Sequence, residues 1–210
     1  MTTTLFTNAH IATGEPGSTA ASTLPLQDIL VTDGVFTAFG PGLAQQYEAQ
    51  GGDLAAIEVV DLGGKLVCPP FCDTHLHLDY VFTARKPGAV NESGTLFEGI
   101  QRWSETKSDL TVDEIKQRAK IGIKKEMLHG VQLIRSHADV TDPNLTSLKA
   151  LLELKEELKD TVTLQIVSFP QEGMYSYEGP HGESGAELVE ARTQDGCRLR
   201  GRHPPFRTVP

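Results

Sequence analysis

The sequence is poor in cysteine, in aromatic residues and in basic charge, and it has no long apolar run. Only Cys68, Cys72 and Cys197 occur in 210 residues. An odd count in a chain of this size excludes the disulfide framework of small secreted domains. Cys68 and Cys72 do not make a structural zinc knuckle, because that site needs four ligands and no second pair follows. Two small buried thiols beside a strand are expected instead. No stretch approaches the roughly 18 apolar residues of a membrane helix. Residues 1–6 carry neither the basic nor the apolar region of a signal peptide, so a cytoplasmic location is expected. Lys and Arg together number 19 against 28 Asp and Glu, for a formal charge of −9. Neutralising phosphates needs basic clusters, so nucleic acid and anionic membrane are excluded as partners. What is present, 39% hydrophobic and 22% charged residues, is the composition of a globular protein with a real core.

Two kinds of pattern divide the chain. Residues 5–12, 28–32, 35–39 and 57–62 read as short strands. Asp33-Gly34 between two apolar runs is a strong hairpin signal, because that turn needs positive φ. Residues 1–65 are therefore read as a small β domain. From residue 66 strands and helices alternate. Residues 66–78 form a strand interrupted by Pro69-Pro70. Residues 111–129 form a helix, with Thr111 as cap, Glu114 three residues on and Gly130 closing it. Its buried stripe is expected to be Ile115, Ala119, Ile123 and Leu128. Residues 132–137 and 161–169 read as strands, 144–159 as a helix, and 183–191 as the start of another. Strand–helix repeats imply a parallel sheet, either doubly wound or a (β/α)8 barrel. A full barrel takes about 250 residues, and only three to four units fit between residues 66 and 191.

The chemistry centres on Asp73-Thr74-His75-Leu76-His77. On a strand, residues i and i+2 point the same way, so His75 and His77 can present two imidazoles to one metal. A lone His-x-His is more often a packed pair. Here it follows a Gly-Gly turn, an apolar strand and two prolines, and it opens the strand–helix region.

Residues 61–67, Asp-Leu-Gly-Gly-Lys-Leu-Val, followed by Pro70-Phe71-Cys72-Asp73-Thr74-His75-Leu76-His77, resemble the opening motif of the amidohydrolase superfamily. Residues 93–100 with Trp103, residues 135–140, and Phe169-Pro170-Gln171-Glu172-Gly173 resemble bacterial-type cytosine deaminase within it. The likeness covers roughly residues 55–190. It implies an α/β fold in which a small N-terminal β-sandwich precedes an incomplete (β/α)8 amidohydrolase barrel. It implies that His75 and His77 bind one divalent metal, Fe(II) or Zn(II). Gln171 would hydrogen-bond a pyrimidine ring, and Leu96 would touch the substrate mainly through its backbone. The implied reaction is hydrolytic deamination at the ring carbon bearing the amine, with a small-molecule nucleobase as substrate. Small zinc deaminases use H-x-E together with P-C-x-x-C instead, and no P-C-x-x-C occurs here. His137 and Asp139 are expected to form a satisfied structural pair, and Asp79 to order a loop. Homo-oligomers are expected of full-length relatives. Another cyclic-amide amidohydrolase of the hydantoinase or dihydroorotase kind, and a non-catalytic interaction fragment, are the alternatives.

No catalytic acid–base residue is assigned. The resemblance calls for a third ligand His, a His-x-x-Glu proton shuttle, a further His and a late-strand Asp, and none has a counterpart. Residues 192–210 carry five arginines against Asp195, a net +4, while the preceding 191 residues carry −13. Read one base later, this tail can encode a helix end and a fourth barrel strand. The expectation is a frameshift near Glu190 and Ala191, an aberrant, disordered Arg-rich tail, and a 210-residue product that is unstable and inactive alone.

Overall fold

A computed structural model describes residues 2–12, 24–142, 144–193 and 199–200. The chain separates into two compact units at Pro69 and Pro70. The first holds strands β1 (Thr3–Ile11), β2 (Leu26–Thr32), β3 (Val35–Gly40), β4 (Glu58–Asp61) and β5 (Leu66–Val67), with helix α1 (Leu43–Ala49). They form one sheet in the order β3-β2-β1-β4, with β5 also pairing β1. The hairpin lies where Asp33-Gly34 puts it. Thr32 pairs with Val35, and the two turn residues take φ of 50° and 78°, the left-handed values such a turn demands. The buried Asp28 carboxylate accepts the backbone N–H groups of Asn8 and Leu43, at 3.1 and 2.9 Å. It thereby ties β1, at its bulge, to the start of α1. Among the described residues this unit is one sheet, one α-helix and a 3₁₀ turn (Leu54–Ala56); the second sheet expected of a sandwich is not among them.

The second unit contains β6 (Phe71–Leu76), α2 (Leu96–Lys107), α3 (Val112–Leu128), β7 (Val131–Asp139), α4 (Thr146–Glu157), β8 (Thr163–Phe169), α5 (Gly185–Thr193) and the two-residue β9 (Leu199–Arg200). The strands are parallel and lie in the order β6-β7-β8-β9. Spatial order follows chain order without the reversal that marks a doubly wound sheet. Leu199 and Arg200 belong to the tail expected to be disordered, yet they pair with Val167 and Ser168 of β8. Arg192 and Thr193, the first residues of that tail, end α5, and the remainder of the tail lies outside the described residues.

Helix α3 begins with the capping box expected of Thr111 and Glu114. Ile115, Ala119, Gly122 and Ile123 bury its inner face. Leu128 does not join them and is 74% exposed. At about 100° per residue it lies roughly 220° round the helix from Ile115, on the outer side. Leu148, Leu151 and Leu154 of α4 and Ile134, Leu164 and Ile166 of the strands complete the core. Helices α1 and α2 were not expected from the sequence, although Thr95 and Glu98 carry the same cap spacing at the start of α2. Cys68 and Cys72 are exposed and free rather than buried. Cys72 lies on β6, the edge strand of its sheet. No helix among the described residues is long and apolar enough to cross a membrane.

Candidate functional site

The end of β6 delivers both histidines. Asp73 Oδ1 accepts the His75 N–H at 2.9 Å, which orders the backbone between them. The two Nε2 atoms come within 3.3 Å. His137 of β7 stacks on His75 at 4.0 Å between ring centroids, Tyr80 stacks on His77 at 4.6 Å, and Phe169 of β8 meets His77 edge-on at 5.3 Å. Burial, then the neighbouring imidazoles of His137 and His75, lower the His77 pKa to about 4. Burial, then His75, lower His137 to about 4 as well. Both rings are therefore neutral near pH 7, the form in which imidazole binds metal.

The spacing of the Nε2 pair fits a shared cation. Two Zn–N bonds of about 2.0–2.1 Å at a tetrahedral angle span about 3.3–3.4 Å, the separation found. The described residues offer this one edge: no group of three or more His, Cys, Asp or Glu side chains among them is placed to hold a metal.

A cavity of about 350 Å³ lies beside the pair, with Tyr80 both stacked on His77 and lining the cavity. Trp103, Ile100 and Leu96 of α2 form much of its wall, and Gln171 reaches it from just beyond β8. Leu96 is the first residue of α2 and is 62% exposed. Gln171 is buried, and its Oε1 has no hydrogen-bond partner. Asn91 also lines the cavity, but its amide is already used, accepting from Gly94 N–H and donating to Thr95 O. The lip is set by Glu98, whose carboxylate accepts from Ser93 Oγ and from the backbone N–H groups of Ser93 and Glu92. These bonds, led by the Ser93 hydroxyl, hold the Glu98 pKa down to about 2.

His137 and Asp139 do not form the expected pair. Asp139 Oδ2 instead accepts from Trp103 Nε1 at 2.7 Å and Lys107 Nζ at 3.1 Å. Asp79, buried completely, does order its loop. It accepts the N–H groups of Tyr80 and Asp139, and burial raises its pKa to about 7. Tyr80, Trp103 and Lys107 were not singled out as site residues from the sequence. The available signal was Trp103 and Lys107 at i and i+4, one face of a segment opened by a Thr-x-x-Glu cap.

A model of the amidohydrolase family matches residues 58–201. The chain belongs to that family. Among curated relatives it is similar to N-isopropylammelide isopropyl amidohydrolase of Pseudomonas sp. strain ADP, 35% identical over 68% of this chain and 35% of that protein. It is also similar to pterin deaminase of Rhizobium rhizogenes, 27% identical over 70% of this chain and 32% of that protein. Among solved structures, 5-methylcytosine deaminase from Klebsiella pneumoniae liganded with 5-fluorocytosine superposes with a TM-score of 0.74 and 37% identity, covering 93% of this chain and 42% of that one. The chain thus spans about a third of the length of the curated relatives it matches.

Proposed function

We propose that these residues form the metal- and ring-binding part of a hydrolytic deaminase acting on cytosine-like amino-pyrimidines. The first unit corresponds in this reading to the β-sandwich portion, and residues 66–191 to the opening βα units of a (β/α)8 barrel. The unreversed strand order supports the barrel. The observation that carries the function is one juxtaposition. Two imidazoles lie at metal-sharing distance, Tyr80 stacked on one of them lines a cavity, and the same cavity is lined by Gln171, whose buried amide oxygen has no hydrogen-bond partner.

His75 and His77 hold one divalent ion, Zn(II) or Fe(II). Bound there, such an ion supplies Lewis-acid activation of water at neutral pH. Tyr80 and Trp103 present aromatic faces, which suit a planar ring. Gln171 offers an acceptor for a ring N–H and a donor for a ring carbonyl, and so orients the heterocycle. Leu96, at the start of α2, lines the same cavity. The identity to 5-methylcytosine deaminase supports this substrate class, and the N-isopropylammelide of the Pseudomonas relative's name supports an amino-substituted nitrogen heterocycle more broadly.

The test uses the 210-residue chain and two titrations. Cobalt(II), followed by its visible absorption, is expected to bind the wild type and to be lost in both His75→Ala and His77→Ala. Cytosine is expected to quench the single tryptophan, Trp103, while hydantoin does not. Preference for hydantoin would transfer the protein to the cyclic-amide branch. Cobalt binding indifferent to both histidine changes would overturn the metal assignment.

A further inference from the structure

The most heavily bonded carboxylate in the second unit is not at the histidine pair. Asp139 ends β7 and is 1% exposed. Its Oδ1 accepts from Thr141 N–H at 2.8 Å, from the Thr141 hydroxyl at 2.6 Å and, at 3.4 Å, from the backbone N–H of Gln171. Its Oδ2 accepts the Trp103 indole and the Lys107 ammonium. Lys107 is itself buried and also donates to Thr141 O, Thr141 Oγ1 and Glu172 Oε1. Ser104 Oγ donates to the same Glu172 oxygen at 2.9 Å. The Asp139 N–H is held in turn by Asp79.

These bonds have a common geometry. Trp103 and Lys107 are one helical turn apart, and both reach the end of β7. The loop after β8 is held twice, through the Gln171 backbone and the Glu172 side chain. One carboxylate therefore joins Trp103, on the aromatic wall of the cavity, to the backbone of Gln171, which also lines it. A buried ion pair is weak evidence of stability, because desolvating the charges offsets their attraction. Such a pair can instead select one arrangement among several that packing would allow, and the groups Asp139 holds here are Trp103, Lys107 and the backbone of Gln171.

We infer that Asp139, with Lys107 and Glu172, is a positioning cluster that sets the distance and angle between Trp103 and Gln171 for ring binding. The inference rests on the ring-binding reading of the cavity. Asp139 touches neither metal nor ring in this role; it acts through the two residues it holds.

Asp139→Asn keeps the side-chain shape but replaces one acceptor oxygen with an N–H₂ group that accepts from neither Trp103 nor Lys107. In the 210-residue chain, this variant is expected to bind cobalt(II) as the wild type does and to bind cytosine about tenfold more weakly. That split separates positioning from general loss of structure, which would lower both affinities. The single indole N–H resonance of Trp103 and the backbone amide of Gln171 are expected to shift together in the nitrogen–proton spectrum. If Asp139→Asn does not fold, Glu172→Gln is read in its place, since Glu172 is only partly buried and keeps an acceptor. It is expected to shift the Gln171 amide and weaken cytosine about threefold. A folded variant of either kind with wild-type cytosine affinity overturns the positioning role while leaving the functional reading standing. Failure of the wild-type chain to bind cytosine overturns the functional reading, and the inference with it.

Discussion

Gln171 offers a test in which stability and binding move in opposite directions. Its side chain is 8% exposed, and its Oε1 has no partner in the free protein. A buried acceptor left without a hydrogen bond costs about 1–3 kcal/mol. Gln171→Met preserves length and shape, removes that acceptor, and retains the backbone N–H that faces Asp139. Taking the lower half of the range, the variant is expected to be more stable by about 1–2 kcal/mol. With a urea dependence of about 2 kcal/mol per molar, the unfolding midpoint moves up by roughly 0.5–1 M. The same change removes the group that meets the ring. One neutral hydrogen bond contributes about 0.5–1.5 kcal/mol, so the cytosine Kd is expected to rise about two- to tenfold. Urea unfolding followed by far-ultraviolet circular dichroism gives the first quantity, and quenching of Trp103 the second. A Gln171→Met chain that is less stable than wild type and binds cytosine equally well would refute both steps. It would show that the carbonyl is already satisfied in the free protein and that it does not contact the ring.

Two further outcomes follow from the same structure. Glu98 has a folded-state pKa held at about 2 by the Ser93 hydroxyl and the N–H groups of Ser93 and Glu92. A lowered carboxyl pKa stabilises the fold above the ordinary carboxylate range and loses that contribution as pH falls toward the folded value. The lip of the cavity is therefore expected to hold above about pH 4.5 and to loosen toward pH 2, seen as faster amide exchange at Ser93 and Glu92. Glu98→Gln should show that fast exchange already at neutral pH. In the core, Leu151 is fully buried between α4 and the sheet. Leu151→Ala is expected to cost about 2–5 kcal/mol, measured by urea unfolding; a loss below about 1 kcal/mol would mean that the α4 interface is not packed as described.

Local signals were read correctly where a few neighbouring residues decide the backbone. Asp33-Gly34 makes its hairpin because both residues accept positive φ, and Thr111 with Glu114 starts α3 because each satisfies the other's orphan donor. Helix α2 carried the same Thr-x-x-Glu spacing in Thr95 and Glu98, but its exposed Leu96 and Phe97 break the apolar period that would have marked it. Leu128 was misplaced because a run of apolar residues near a helix end says less than the angle at which each one projects.

The His-x-His pair was legible for a related reason: strand geometry alone places residues two apart on one side, and the structure brings their Nε2 atoms together. The partnership of Asp139 was not. Its hydrogen-bond partners lie 36 and 32 positions earlier, at Trp103 and Lys107, and 32 later, at Gln171. His137, its neighbour by two and the partner expected of it, stacks on His75 instead. Chain order and local periodicity predicted the parallel strand–helix layout, particular motif residues carried the family likeness, and His-x-His spacing supplied the candidate ligands. Which carboxylate holds which cation, and which buried amide oxygen is left without a hydrogen-bond partner, depended on tertiary structure. Those choices are made when strands and helices distant in the chain pack side by side, and desolvation then leaves each buried polar group only the partners within reach.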